Sequence, residues 1–97
     1  MSFISYAIPS GDYYKMSRGK LQYNRTHIIA NSHSISFVST DGSVVAFWEI
    51  VSENYDSSQN VTVVSVKSQY GVSHTAYWWN EDGKTYLQWD GTNYVLN

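Results

Sequence analysis

Two Asp-Gly dipeptides, Asp82-Gly83 and Asp90-Gly91, punctuate the most aromatic part of the chain, Ala76 to Asn97. Glycine reaches φ > 0 without a steric penalty, and Asp-Gly between alternating residues is a strong hairpin signal. Asp82-Gly83 should close a hairpin between Thr75–Trp79 and Lys84–Trp89, and Asp90-Gly91 should start the next reversal. The end of the chain is then a β-meander that must place three of the four tryptophans, Trp78, Trp79 and Trp89.

The rest of the chain reads the same way. No window repeats apolar residues at i, i+3, i+4 and i+7 for three turns, so helix is not expected. Tyr, Trp, Phe, Val, Ile and Thr are plentiful, a composition that suits a pleated surface. Phe3–Ile8 alternates and stops at Pro9-Ser10-Gly11. Asp12–Ser17 follows, then a turn at Arg18-Gly19, Leu21–Tyr23, a polar break, and His27–Ala30. Ile35–Ser39, a turn around Asp41-Gly42, and Val44–Val51 read as strand, turn, strand. Val44–Val51 is apolar on both faces apart from Glu49, which predicts a strand that is central in the sheet or covered on both sides. Ser52–Asn60 reads as a loop, Val61–Val66 as a strand and Lys67–Ser73 as a link. The expectation is an all-β single domain over residues 1–97, an antiparallel sandwich or closed barrel of about nine to ten short strands.

An internal echo adds a variant. Gly11-Asp-Tyr-Tyr14 to Gly19 and Gly83-Lys-Thr-Tyr86 to Gly91 share two glycines and a tyrosine at the same spacing. With Phe47–Val51 at the midpoint, three such units would make a β-trefoil. Trp48-Glu49-Ile50-Val51 is also similar to the Trp-x-Ile strand of ricin-B-type trefoils, although Ala46 stands where those have glutamine and only one such strand exists. The absence of cysteine and a surface rich in Tyr, Trp, Asn, Ser and Thr resemble the small cytosolic lectins and defence proteins of mushroom fruiting bodies. That resemblance covers composition and one tetrapeptide, and it implies a sugar-binding function without assigning residues to it.

Composition removes several classes. With no cysteine among 97 residues there is no disulfide framework and no thiolate metal site. The first residues lack a signal peptide's basic and apolar regions, and no run approaches the ~20 apolar residues of a membrane helix. A cytoplasmic protein without membrane insertion is expected, release from the cell being left open. Asn24-Arg-Thr26 and Asn60-Val-Thr62 match the glycosylation triplet, which such chains contain by chance.

Enzymatic signatures are missing as well. His27, His33 and His74 fall at no metal-ligand spacing, and neither a nucleophile elbow nor a phosphate loop is present. Glu81, Asp82 and Asp90 could supply a glycosidase pair only across a cleft that a chain this short rarely builds. Asp82 and Asp90 are better explained as turn residues. No catalytic residue, cofactor or metal is expected. A nucleic-acid reading rests on Tyr13-Tyr14-Lys15 with Arg18, Lys20, Tyr23 and Arg25, aromatics interleaved with bases. The net charge of −2 and a pI near 5.8 oppose it.

The aromatics carry the functional expectation. Sixteen of them, counting four Trp, nine Tyr and three Phe, exceed what a small core built on Phe37, Phe47 and Trp48 should absorb. Adjacent strand residues point to opposite faces, so of Trp78 and Trp79 one is core and the other is outside or in an interface. An exposed indole beside amides suits a sugar, whose C–H face stacks while its hydroxyls need directional partners. The expected ligand-binding residues are Tyr77, Trp79, Asn80, Trp89, Asp90 and Asn93, in a glycan-binding lectin that gains avidity as a homodimer. The alternative from another class is a protein-binding inhibitor or immunity-type protein using the same aromatics as hot spots.

Overall fold

The computed structural model describes residues 7–97. Nine strands follow one another: β1 (Gly11–Ser17), β2 (Lys20–Leu21), β3 (His27–Ala30), β4 (Ser34–Val38), β5 (Val44–Asp56), β6 (Val61–Ser68), β7 (Ser73–Glu81), β8 (Lys84–Trp89) and β9 (Thr92–Leu96). Every pairing is antiparallel. β1, β3, β4, β5, β6, β7, β8 and β9 neighbour one another in that order, and β9 returns to β1 through Tyr13↔Leu96, Tyr14↔Val95 and Lys15↔Tyr94. The result is a closed eight-stranded meander barrel. β2 is extra, a short arm on the far half of β1 through Met16↔Leu21. The architecture is therefore the barrel of the two expected forms, built as one meander and not as three trefoil units.

Turn chemistry sets this order. Arg18-Gly19, Asp82-Gly83 and Asp90-Gly91 are two-residue loops with positive φ at both positions, the type I′ geometry whose twist matches that of the flanking strands. In the five-residue link from β4 to β5, the Asp41 carboxylate accepts from the Ser43 amide at 2.9 Å and the Ser43 hydroxyl at 2.6 Å. The hydrogen bonds from Ser39 and Ser43 hold that carboxyl at a pKa of about 2. At the start of β1, Gly11 has φ of +147° and a Cβ there would lie 2.7 Å from Leu96 Cδ1, so any other residue would be strained and would have to displace that leucine.

An eight-stranded barrel has an interior just wide enough for side chains to fill. Tyr13, Ile28, Ala30, Ile35, Val64, Val66, Ala76, Trp78 and Leu87 are buried there, with Phe37, Trp48, Ile50, Trp89 and Tyr94 packed against them. One end is closed by the chain before β1. Ile8 is buried, and its N–H donates to both carboxylate oxygens of Glu53 at 3.1 and 3.2 Å. The Trp78 indole N–H donates to the same carboxylate at 2.8 Å, and the Tyr13 hydroxyl donates to the Pro9 carbonyl at 2.6 Å. The other end is closed by rings: Trp89 lies 5.1 Å from both Phe37 and Trp48 and 4.3 Å from His74, centroid to centroid.

Two expectations are corrected and a third lies mostly outside the described residues. The Ser52–Asn60 loop is mostly strand, since β5 runs on to Asp56 and only residues 57–60 turn. Val44–Val51 is central in the sheet, paired with β4 and β6, but it is not covered on both sides: its outer face is the outside of the barrel, and Phe47 is 50% exposed. The Phe3–Ile8 strand lies largely outside the described residues, and Ala7 and Ile8 are not in a strand.

Two outcomes follow for stability. Trp48→Ala should cost about 3 kcal/mol, as truncation of a packed aromatic does, whereas Phe47→Ala should stay within about 1 kcal/mol, as surface changes do; urea midpoints measure both. Burial, and secondarily the Glu53 charge, hold the Tyr13 phenol above tyrosine's ordinary 10.0. The folded state therefore keeps a proton that the unfolded state gives up. The contribution of Tyr13 to stability is whole below pH 10 and is lost as pH rises above it. Between pH 10 and 12 the denaturation midpoint should fall more steeply for wild type than for Tyr13→Phe; parallel curves would remove Tyr13 as the cause.

Candidate functional site

Strand parity divides the adjacent indoles. Trp78 points into the barrel and is 5% exposed, while Trp79 lies on the outer face, partly exposed. The turn fixes what stands beside each. Glu81 pairs with Lys84 across the two-residue loop, so Trp79 faces Tyr86, Trp78 faces Leu87 and Tyr77 faces Gln88. The rings of Trp79 and Tyr86 are nearly parallel, 11° apart with centroids at 5.5 Å.

Trp79 also lines a groove of about 440 Å³ with Tyr77, Gln88, Val61, Gln59, Asn60, Asn80 and Glu81. Tyr86 is not part of that lining. It backs Trp79 on the β8 side, and the indole is left as a wall toward β6 and the β5–β6 turn. The groove therefore runs between a braced aromatic on one side and the amides of Gln59 and Asn60 on the other.

Three of the four amides in this groove are held at one end and open at the other. Asn80 Oδ1 accepts from the Thr85 hydroxyl at 2.8 Å, which leaves its NH₂ to donate outward. Asn60 Oδ1 accepts from the Tyr55 hydroxyl, with the same consequence for the Asn60 NH₂. Gln88 Nε2 donates to Asn93 Oδ1 at 3.0 Å, which leaves Gln88 Oε1 as an acceptor. Glu81 adds a carboxylate. Donors and acceptors with fixed directions thus surround one apolar ring face, the requirement for recognising a group that is both flat and rich in hydroxyls.

Of the six residues expected at the site, Tyr77, Trp79 and Asn80 line the groove. Asn93 lies one strand away and orients Gln88. Trp89 and Asp90 lie away from the groove lining. Trp89 shares the inner face with Leu87 and packs against Trp48, His74 and Phe37. Asp90 is in the β8–β9 turn, at the opposite end of β8 from Asp82-Gly83. Missing from the expected set were Gln59, Asn60, Val61, Glu81 and Gln88, together with the backing ring of Tyr86. The last two were within reach, because counting outward from Asp82-Gly83 pairs them with Trp79 and Tyr77.

The other candidate constellations are placed elsewhere. Tyr13 of the basic stretch is fully buried. Tyr14 is stacked on His27 at 4.4 Å and meets Tyr23 edge-on at 4.7 Å. His27 Nε2 is 3.1 Å from Asp12 Oδ1, whereas His74 Nε2 is buried among the rings with no hydrogen-bond partner among the described residues. Among those residues no group of three His, Cys, Asp or Glu side chains gathers as a metal site.

No protein-family model, curated protein or solved structure matches the chain, and what the groove can do rests on its own geometry.

The division of the two indoles is measurable before any ligand is known. Trp78→Ala removes a buried indole and leaves the Glu53 carboxylate short of a donor, and it should cost more than about 3 kcal/mol. Trp79→Ala should cost about 1 kcal/mol and leave the amide I infrared band unchanged. Equal losses of stability in the two variants would contradict the assignment of faces.

Proposed function

We propose that this protein is a non-enzymatic carbohydrate-binding module, a lectin whose groove takes one sugar ring against Trp79. The observation that carries the proposal is the pairing of a braced indole with three amides, Asn60, Asn80 and Gln88, each fixed by an internal hydrogen bond and each with a free end. Bracing matters because a shallow site has little surface to offer. Side chains that are already ordered lose less entropy when a ligand arrives. The compositional resemblance to fruiting-body lectins points the same way.

A neutral sugar fits better than a strongly anionic one. Glu81 is the ionisable side chain lining the groove, and the remaining polar groups there are amides and the Tyr77 hydroxyl. The single-strand nucleic-acid alternative is weakened by the same sign of charge and by the cover over Tyr14. The protein-binding alternative has its own supporting observation, the exposed apolar side chains of β5, on another part of the barrel.

A glycan array followed by fluorescence titration tests the reading. One site of this kind should bind a simple sugar with Kd of roughly 1 mM, about −4 kcal/mol. Trp79→Ala should lower affinity more than about tenfold while the protein stays folded, and Gln88→Ala should weaken it less. Trp emission should shift on binding in wild type and not in Trp79→Ala. Array binding that Trp79→Ala leaves intact would refute this site, and an array with no binder would refute the lectin.

A further inference from the structure

Among the described residues, the outer face of β5 has no counterpart elsewhere on the barrel. Val45, Phe47 and Val51 are 61%, 50% and 65% exposed, and Val44 beside them is as open as Val45. The neighbouring β6–β7 turn adds Tyr70 and Val72, both exposed, since Ser68 pairs with Trp48 and carries that turn alongside the Val44–Phe47 segment. On the flanks are small serines: Ser34 and Ser36 lie opposite Glu49 and Phe47 on β4. Isolated exposed apolar residues are ordinary, but a contiguous run of them along one strand marks an interaction surface.

We infer that this face is the contact between two copies of the chain, joined through β5 and the β6–β7 turn. Three observations select a second copy as the occupant. First, the charges on the face are self-complementary. Glu49 and Lys67 are directly opposite each other across β5 and β6, on the outer side. They form no ion pair within one copy among the described residues. In a two-fold contact every interaction occurs twice, so Glu49 of each copy can meet Lys67 of the other and the face stays neutral. A lipid surface or a nucleic acid would instead select several like-signed bases here, and Lys67 stands alone against Glu49. Second, the size fits. The six apolar side chains expose on the order of 600 Å², and with the serines and the charged pair the face approaches the roughly 800 Å² per partner of a specific interface. Third, none of these residues lines the Trp79 groove, so the face presents side chains for packing against another surface and no cleft for a small molecule.

The contact does not depend on what the Trp79 groove binds. β5 and β7 are separated only by β6, so the groove and the apolar face occupy neighbouring quarters of the barrel wall. A dimer through β5 leaves both grooves open.

Sedimentation velocity of the full chain from about 5 to 500 μM tests the inference. Wild type should move from 11.1 kDa toward twice that mass. Phe47→Lys, at an exposed position, should keep the thermal transition and stay monomeric. Glu49→Lys alone and Lys67→Glu alone should each weaken self-association at least tenfold. An equimolar mixture of these two variants should form a heterodimer, and the double variant should recover the homodimer. Loss of association at 0.5 M salt in the charge-paired species, with the Phe47→Lys result unchanged, would agree with this contact. A wild type that remains monomeric at 500 μM would overturn it, as would a dimer indifferent to Phe47→Lys or concentration-dependent aggregates without a dimer plateau. Sugar binding by the monomeric Phe47→Lys variant separates the two proposals, since failure of the dimer leaves that binding untouched.

Discussion

A single carboxylate organises one end of the barrel. Glu53 is partly buried and accepts from the Ile8 amide and the Trp78 indole, so it joins the chain before β1 to β5 and β7. Taking a carboxylate from water is costly unless hydrogen bonds replace the solvent. Here the donors are ones that burial would otherwise leave unpaired. Remove the carboxylate and two buried N–H groups lose their partner, each a penalty of about 1–3 kcal/mol. The residue reaches this position because of a bulge. Trp48 and Ile50 face inward, and strict alternation would send Ser52 inward next and Glu53 outward. Between Ile50 and Ser52 the register slips by one residue at Val51, which turns Glu53 to the inside. Val51 itself stays on the surface, where alternation from Ile50 already places it.

The two ends of the barrel are closed by different chemistry. At the Glu53 end a polar network is satisfied by backbone and indole donors. At the other end Phe37, Trp48, His74, Trp89 and Tyr94 fill the opening with rings that meet edge-on or tilted, the arrangements their quadrupoles favour. This accounts for an aromatic content that a two-layer core could not absorb. Inside a closed barrel the inward positions of all eight strands converge, and Tyr13, Phe37, Trp48, Trp78, Trp89 and Tyr94 are accommodated at once. The outer wall carries the remainder, which is where recognition becomes available.

Much of the fold was legible because it depends on local rules. The His27–Ala30 and Lys84–Trp89 strands come out residue for residue, since alternation ends where a turn signal begins. The opposite fates of Trp78 and Trp79 need only the two-residue period. Other features depend on tertiary context and were hidden. Ser52–Asp56 is polar and reads as a loop, yet it continues β5 because β6 supplies the ladder and its outer positions face water. Phe47 reads as core, because an apolar residue does not announce which side of a barrel wall it will occupy. Trp89 was drawn to the site by its proximity in sequence. The pairing Glu81↔Lys84 already places it on the inner face, because Trp79 and Tyr86 share a rung and Trp89 differs from Tyr86 by an odd number of positions. The amides of the β5–β6 turn were invisible, since nothing in residues 57–60 reveals that the turn will stand over β7.

The Trp78-Trp79 dipeptide ties the interior to the groove. Its backbone belongs to one strand held on both sides, through Thr62↔Trp78 toward β6 and Trp78↔Leu87 toward β8. The inward indole is further fixed by Glu53, so the outward indole leaves a segment with little freedom to tilt. Tyr86 then removes one of the remaining directions by standing against its back face. A wall positioned this way needs no loop to close over a ligand. Its rigidity derives from the core, while its chemistry faces solvent, and three of the four groove amides are anchored by residues that do not themselves line the groove: Tyr55, Thr85 and Asn93. Rigid elements holding a few aimed polar groups around one flat apolar face are the arrangement on which the proposed sugar binding rests.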